Sequence, residues 1–213
     1  MRLARALLVL TTILISGAAP LSASDLYVAA QGGYFDMSGA SRSLEAIAGS
    51  SGFGSFGAEW GYGIHRGLFA AVGYSFFPGK EGERVFLAGP NDRPFALGFP
   101  LRVTRGAAHL NVGWRFFRAK RFSPYAAVGA ELVSLKETSE VAGETIEEAQ
   151  SQGGFRGLVG VEYRATARLR FGAEIVGSSV PNALGVGGVS RVYAEDDIGG
   201  VAVLGKVIYR FGR

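Results

Sequence analysis

Leu68-Phe-Ala-Ala-Val-Gly-Tyr-Ser-Phe-Phe77 is the stretch on which the fold turns. Taken alternately, Leu68, Ala70, Val72, Tyr74 and Phe76 form one apolar face, and Ala71, Gly73 and Ser75 form a second face of small residues. A period of two belongs to a strand, because successive side chains leave a pleated chain on opposite sides. Seven more stretches of similar design are Leu26–Phe35, Phe53–Ile64, Leu101–Phe117, Tyr125–Leu135, Phe155–Arg164, Arg168–Gly177 and Val201–Phe211. In the fourth of the eight, Ala108, Leu110, Val112, Trp114 and Phe116 oppose His109, Asn111, Gly113 and Arg115. In the seventh, Leu169, Phe171, Ala173 and Ile175 oppose Arg168, Arg170, Gly172 and Glu174.

A soluble sandwich also alternates, but it turns its polar face to water and its apolar face to a core. Here the second face is filled with Gly and Ala between its charges, as a narrow barrel interior requires. Large aromatics gather at the strand ends. Tyr62, Phe69, Trp114, Phe116, Phe117, Tyr125, Tyr163, Phe171, Tyr209 and Phe211 fall near one rim, and Tyr34, Phe35, Phe53, Phe56, Phe76, Phe77 and Phe155 near the other. Two such belts match the two interfaces of a bilayer. A strand crosses hydrocarbon only if all its backbone polar groups are paired, which demands closure. The expected fold is therefore all-β, an eight-stranded antiparallel up-and-down transmembrane β-barrel.

The gaps between strands alternate in length. Short ones are His65–Gly67, Arg118–Pro124 and Ala165–Ala167; long ones are Asp36–Gly52, Pro78–Pro100, Lys136–Gly154 and Ser178–Gly200. Short turns on the periplasmic side and long loops outside is the arrangement of such barrels, with both termini periplasmic. An even number of strands lets the last pair with the first and removes both edges. Nothing after Phe211 is expected to form an appended domain.

Met1–Ser24 reads as an export signal, with Arg2 and Arg5 before an apolar run from Ala6 to Ile15 and mostly small residues from Ser16. Residues 25–213 then form one domain. Without Arg2 and Arg5 the 22 bases become 20 against 18 acids, a net charge of +2. With no clustered Lys/Arg run, nucleic acid is not an expected partner. The absence of cysteine excludes disulfides, thiolate metal sites and a lipid-modified anchor. The 33 glycines are dispersed through apolar strands rather than set in a repeat.

With these strands and belts, the chain resembles the small eight-stranded outer-membrane proteins of the OmpA transmembrane domain, OmpX and opacity superfamily. Asp25-Leu-Tyr-Val-Ala-Ala-Gln-Gly-Gly-Tyr34 is similar to the first strand of those barrels. The resemblance implies a monomer in the bacterial outer membrane, in contact with outer-membrane lipids and lipopolysaccharide. It also implies that the barrel-assembly machinery reads the final strand. Val207, Tyr209 and Phe211 supply the alternation of that signal, although Gly212 and Arg213 follow them.

Alternation places Glu59, Arg105, His109, Arg115, Glu131, Arg156, Glu162, Arg164, Arg168, Arg170, Glu174, Lys206 and Arg210 on the inner face. Buried charges must be paired or they are very costly, so these residues are expected to form a tiered network. The candidate network is Glu59, His109, Arg115, Glu131, Arg156, Glu162, Arg170, Glu174 and Lys206, with Glu131–Arg156, Glu174–Lys206 and Glu162–Arg170 as expected neighbours. Tyr34, Tyr62, Trp114, Tyr163, Phe171, Tyr209 and Phe211 are the candidate aromatic girdle. No cofactor, metal or catalytic residue is expected. The acids of Glu144–Glu148 and Glu195–Asp197 read as solvated loop residues, and Gly185–Gly188 lacks the Lys-Ser/Thr of a phosphate loop. Lys136 falls on the lipid-facing parity, where it could reach lipid phosphates.

Three functions remain. The first is a non-enzymatic surface protein with a plugged lumen, acting in envelope integrity or through its four outer loops, one of which could bind an extracellular protein. The second is a narrow pore for small solutes. The third is a lipid A-modifying acyl hydrolase, which would need a histidine at the outer rim. The only two, His65 and His109, are expected in a periplasmic turn and in the lumen.

Overall fold

The computed structural model describes residues 26–88, 93–117, 120–141, 143–184 and 188–211. The expected export signal, the glycine-rich residues 185–187 and the last two residues lie outside these. Eight strands are present: β1 (Leu26–Asp36), β2 (Gly52–His65), β3 (Leu68–Ala88), β4 (Arg93–Arg115), β5 (Phe122–Val141), β6 (Glu144–Arg164), β7 (Leu169–Ser179) and β8 (Gly200–Arg210). Each pairs antiparallel with its neighbours in sequence, and β8 closes on β1 from Tyr27↔Arg210 to Asp36↔Val201. The ring has no edge in its spanning part.

Exposure identifies the surroundings. Val128 and Phe155 are 71 % and 75 % exposed, whereas Glu162 and Glu174 are 1 % and 2 % exposed. This inverts the rule for soluble proteins, in which charge lies outside. It is the distribution a lipid-facing wall around a polar interior demands.

Parity corrects part of the aromatic assignment. Phe35, Phe53, Phe69, Phe77 and Tyr125 sit at strand ends as expected, but all five point inward and are buried. Phe53 and Phe77 stack at 4.4 Å between centroids, and Phe69 meets Tyr125 edge-on at 6.2 Å. Height along a strand does not choose the side; odd or even position does. Of the candidate girdle, Tyr34, Trp114, Phe171, Tyr209 and Phe211 are exposed, and Tyr62 and Tyr163 are half-buried.

Two expected loops are strands instead. The 78–100 stretch continues β3 and β4 outward to Ala88↔Arg93, and the 136–154 stretch continues β5 and β6 to Val141↔Glu144. Beyond the bilayer no lipid selects one apolar face, so the alternation that marks the spanning strands fades while ladder pairing persists. Phe86 packs on Phe95 and Phe99 at 6.0 and 5.9 Å, which holds the first extension together. Lys136 turns to Glu147 at 2.9 Å across the second. Smaller shifts end β4 at Arg115, start β5 at Phe122, and leave Arg168 exposed in the turn before β7.

The two remaining long connections fold into a cap. A 3-10 turn (Ser38–Ala40) leads into α1 (Ser41–Ala48), and α2 (Gly188–Tyr193) lies between β7 and β8. Gly49 stops α1 with φ 72° and donates its N–H to the Glu45 carbonyl. Met37, Ala40, Leu44, Val180, Ala183 and Ile198 are buried in one apolar cluster with Phe35, Phe53, Phe77, Leu101 and Leu135 of the upper lumen.

Candidate functional site: the charged lumen and its cap

At mid-height a chain of polar groups crosses the barrel. The Tyr27 hydroxyl donates to Glu59 at 3.0 Å, and Lys206 Nζ donates to Glu59 at 3.2 Å. Lys206 also lies 2.8 Å from Glu174, which accepts the Tyr125 hydroxyl at 2.8 Å. Both tyrosines are seated the same way. Tyr27 stands opposite Gly61 and Tyr125 opposite Gly160 on the neighbouring strand. A Cβ on Gly61 would fall within 1.9 Å of the Tyr27 ring, and one on Gly160 within 2.5 Å of Tyr125. Glycine is thus the residue that lets each ring lie flat on the inner wall.

Below this chain Glu162 gathers three guanidinium groups: Arg115 at 2.7 Å, Arg170 at 3.1 Å and Arg210 at 3.5 Å. Arg115 also rests against the rings of Phe69 and Tyr27, at 4.1 and 4.7 Å to the centroids. Above it Glu131 is shared by Arg105 at 3.5 Å and Arg156 at 3.8 Å, with Arg105 over the Phe35 ring at 4.4 Å. His109 stands opposite Glu131 in register, yet its Nε2 points to Glu59 at 3.9 Å. It therefore belongs to the middle tier.

The structure thus brings together all nine residues of the candidate network. Arg105 and Arg210 join them, as do Tyr27 and Tyr125, which sequence reasoning left out of it. Parity was the available signal: Tyr27 shares a face with Ala29 and Gln31, and Tyr125 with Ala127. Arg164 is half-buried and Arg168 exposed, so neither lies deep in the lumen. Six buried bases face four buried carboxylates, an excess of two positive charges. Between the tiers, a cavity bordered by Tyr27, Glu59, Asn111, Tyr125, Glu162 and Lys206 measures about 10 Å³, room for roughly one water.

A second polar cluster locks the cap. Glu195 accepts from the backbone N–H groups of Arg42 and Ser43 at 3.1 and 2.9 Å, and from Ser43 Oγ at 2.6 Å and Arg42 Nε at 3.4 Å. It caps the first turn of α1 from a different connection, where an anion is favoured. Asp197 accepts from Ser179 Oγ and the N–H groups of Val180 and Gly199 at 2.6–2.7 Å. Burial alone would raise both carboxyls, but these hydrogen bonds outweigh it and hold both below their usual range. The reading of these two acids as merely solvated is corrected: each is an acceptor hub. Among the described residues, no group of three His, Cys, Asp or Glu is placed to hold a metal ion.

A closed eight-stranded ring with lipid-facing apolar residues and a paired polar lumen defines an outer-membrane β-barrel of bacterial type. Residues 6–211 match the family profile described as outer membrane protein beta-barrel domain, and the chain belongs to that family. Solved structures of similar fold include Neisserial surface protein A, at 17 % identity and TM-score 0.52 over 90 % of this chain and 98 % of the other. Outer membrane protein OprG from Pseudomonas aeruginosa is 12 % identical, with TM-score 0.58 over 89 % and 97 %. A major outer membrane protein from Thermus thermophilus is 11 % identical, with TM-score 0.54 over 88 % and 99 %. Comparison with curated proteins finds no match. The protein is located in the bacterial outer membrane.

Proposed function

We propose that this barrel is a plugged, non-enzymatic anchor that presents two paired hairpins at the cell surface, with the short turns and both termini in the periplasm. One observation carries this reading. Pairing of β6 with β7 begins at Phe155↔Ser179, so residues 144–154 hold β5 on one side and leave the other side open. Residues 144–151 are all exposed. An open ladder offers its N–H and C=O groups to another extended chain. The corresponding outer part of β4 is protected differently, by Pro94 and Pro100, which cannot donate to an added strand. The tiered ion pairs and the apolar cap support a closed lumen, and both histidines lie away from the outer rim: His65 ends β2 at the short-turn end and His109 is buried beside Glu59.

The test is a strain in which residues 136–149 are replaced by a two-residue Asn-Gly turn, which joins the register partners Leu135 and Gln150. Lost adhesion with an intact permeability barrier is the expected result. Unchanged adhesion with a leaky envelope would move the role to envelope integrity.

A further inference from the structure

The turns joining β2 to β3, β4 to β5 and β6 to β7 lie at one end of the barrel, and their charges have one sign. Arg66, Lys120, Arg121 and Arg168 are exposed there and Arg164 is half-buried. In sequence the middle turn reads Phe116-Phe-Arg-Ala-Lys-Arg121, and none of the three turns contains an acid. Within the same end, Arg115, Arg170 and Arg210 share the single carboxylate of Glu162. The opposite end differs: between Lys136 and Gln152 there are five glutamates and one lysine. Gathering more cations than acids raises the energy of the isolated rim, and an anionic surface offsets that repulsion.

Rings stand among these bases. Lys120 Nζ lies 4.9 Å from the Phe117 centroid, Arg121 5.9 Å from that of Tyr163, and Arg168 Nη1 3.5 Å from the Tyr209 hydroxyl. Trp114, Phe117, Phe122 and Tyr209 are exposed to the surroundings at this level. An aromatic belt marks the membrane interface, so the cations lie at the depth of lipid phosphates.

We propose that this rim is a docking surface for anionic phospholipid headgroups of the phosphatidylglycerol type, held by Arg66, Lys120, Arg121, Arg164 and Arg168 between the belt aromatics. Only the choice of leaflet rests on the orientation proposed above, which would place these lipids on the periplasmic side.

The chain has two tryptophans, and Trp114 is a built-in reporter. A Cβ on Gly67 would come within 3.0 Å of its indole, so the indole rests against the turn that carries Arg66. The Trp60→Phe protein is folded into phosphatidylcholine vesicles containing phosphatidylglycerol, with one or the other lipid brominated. Brominated phosphatidylglycerol is expected to quench Trp114 with roughly fivefold preference over its bulk fraction, as one surface base at about 1 kcal/mol would give. Substituting the five bases by glutamine (Arg66→Gln, Lys120→Gln, Arg121→Gln, Arg164→Gln, Arg168→Gln) is expected to remove the preference. In the parent, salt near 1 M, which shortens screening to about 3 Å, is expected to do the same. Equal quenching by the two lipids in the parent at low salt overturns the proposal, and so does a preference that survives the five glutamines. Both vesicle leaflets have one composition, so neither outcome depends on orientation; labelling of intact cells at introduced hairpin cysteines tests that separately.

Discussion

Lys206 on β8 reaches Glu59 on β2 at 3.2 Å, over the inner face of β1, which lies between their strands. The contact is made inside the lumen, and Glu174 on β7 completes it from the other side at 2.8 Å. Removing the one cation leaves two buried carboxylates without it. Lys206→Met is therefore expected to destabilise the barrel by about 3–5 kcal/mol. Adding Glu59→Gln and Glu174→Gln should recover most of the loss. Urea unfolding in micelles, followed by the gel shift between folded and unfolded forms, checks both; a triple variant no more stable than the single one contradicts the pairing.

Gly61→Ala and Gly160→Ala force a methyl group into the rings of Tyr27 and Tyr125. Each should cost about 1–3 kcal/mol, the usual penalty of overpacking. Gly177→Ala is the control, because a Cβ there meets nothing within 4 Å. It should fall within about 0.5 kcal/mol of the parent by the same unfolding assay.

The spanning strands could be read because lipid imposes one apolar face at every second residue. That force ends at the interface, so the outer halves of β3 to β6 lost their signature although their ladders continue. Phe69 and Tyr125 show a second limit: aromatic character and height set them among the rim aromatics, but parity put both in the lumen. The contacts of Glu195 with Arg42 and Ser43 span more than 150 positions, and no local pattern announces a pairing between connections so far apart.

The cap should respond to acid in a defined direction. Glu195 and Asp197 are held below the usual carboxylate range by the hydrogen bonds they accept, despite burial acting the other way. A depressed folded-state pKa contributes stability above the unfolded value, about 4 for these groups, and loses it as pH falls through the lower folded value. The amide signals of Ser43 and Val180 should hold steady from neutral pH to about 4 and shift only below. A midpoint above the ordinary carboxylate range would contradict the acceptor role. At pH 7, Glu195→Gln should speed proteolysis of residues 37–49.

The proposed plug predicts silence in planar bilayers. The parent protein should show no steady single-channel steps, since the ion pairs cross the lumen in tiers and the cavity beside Glu59 and Glu162 has room for roughly one water. Regular long-lived steps in the parent would restore the narrow-pore reading.

Lys206 stands on β8 and Glu59 on β2, with β1 between them, so their contact exists only in the closed ring. Until β8 pairs with β1, Glu59 lacks this ammonium and keeps its water. An unfinished sheet is therefore poorly suited to hydrocarbon, whatever its outer face. Closure of the β1–β8 seam supplies, in one event, its hydrogen bonds and the counter-charge of Glu59. Completion of the ring and tolerance of the membrane become a single step, so a chain that stalls early stays wet.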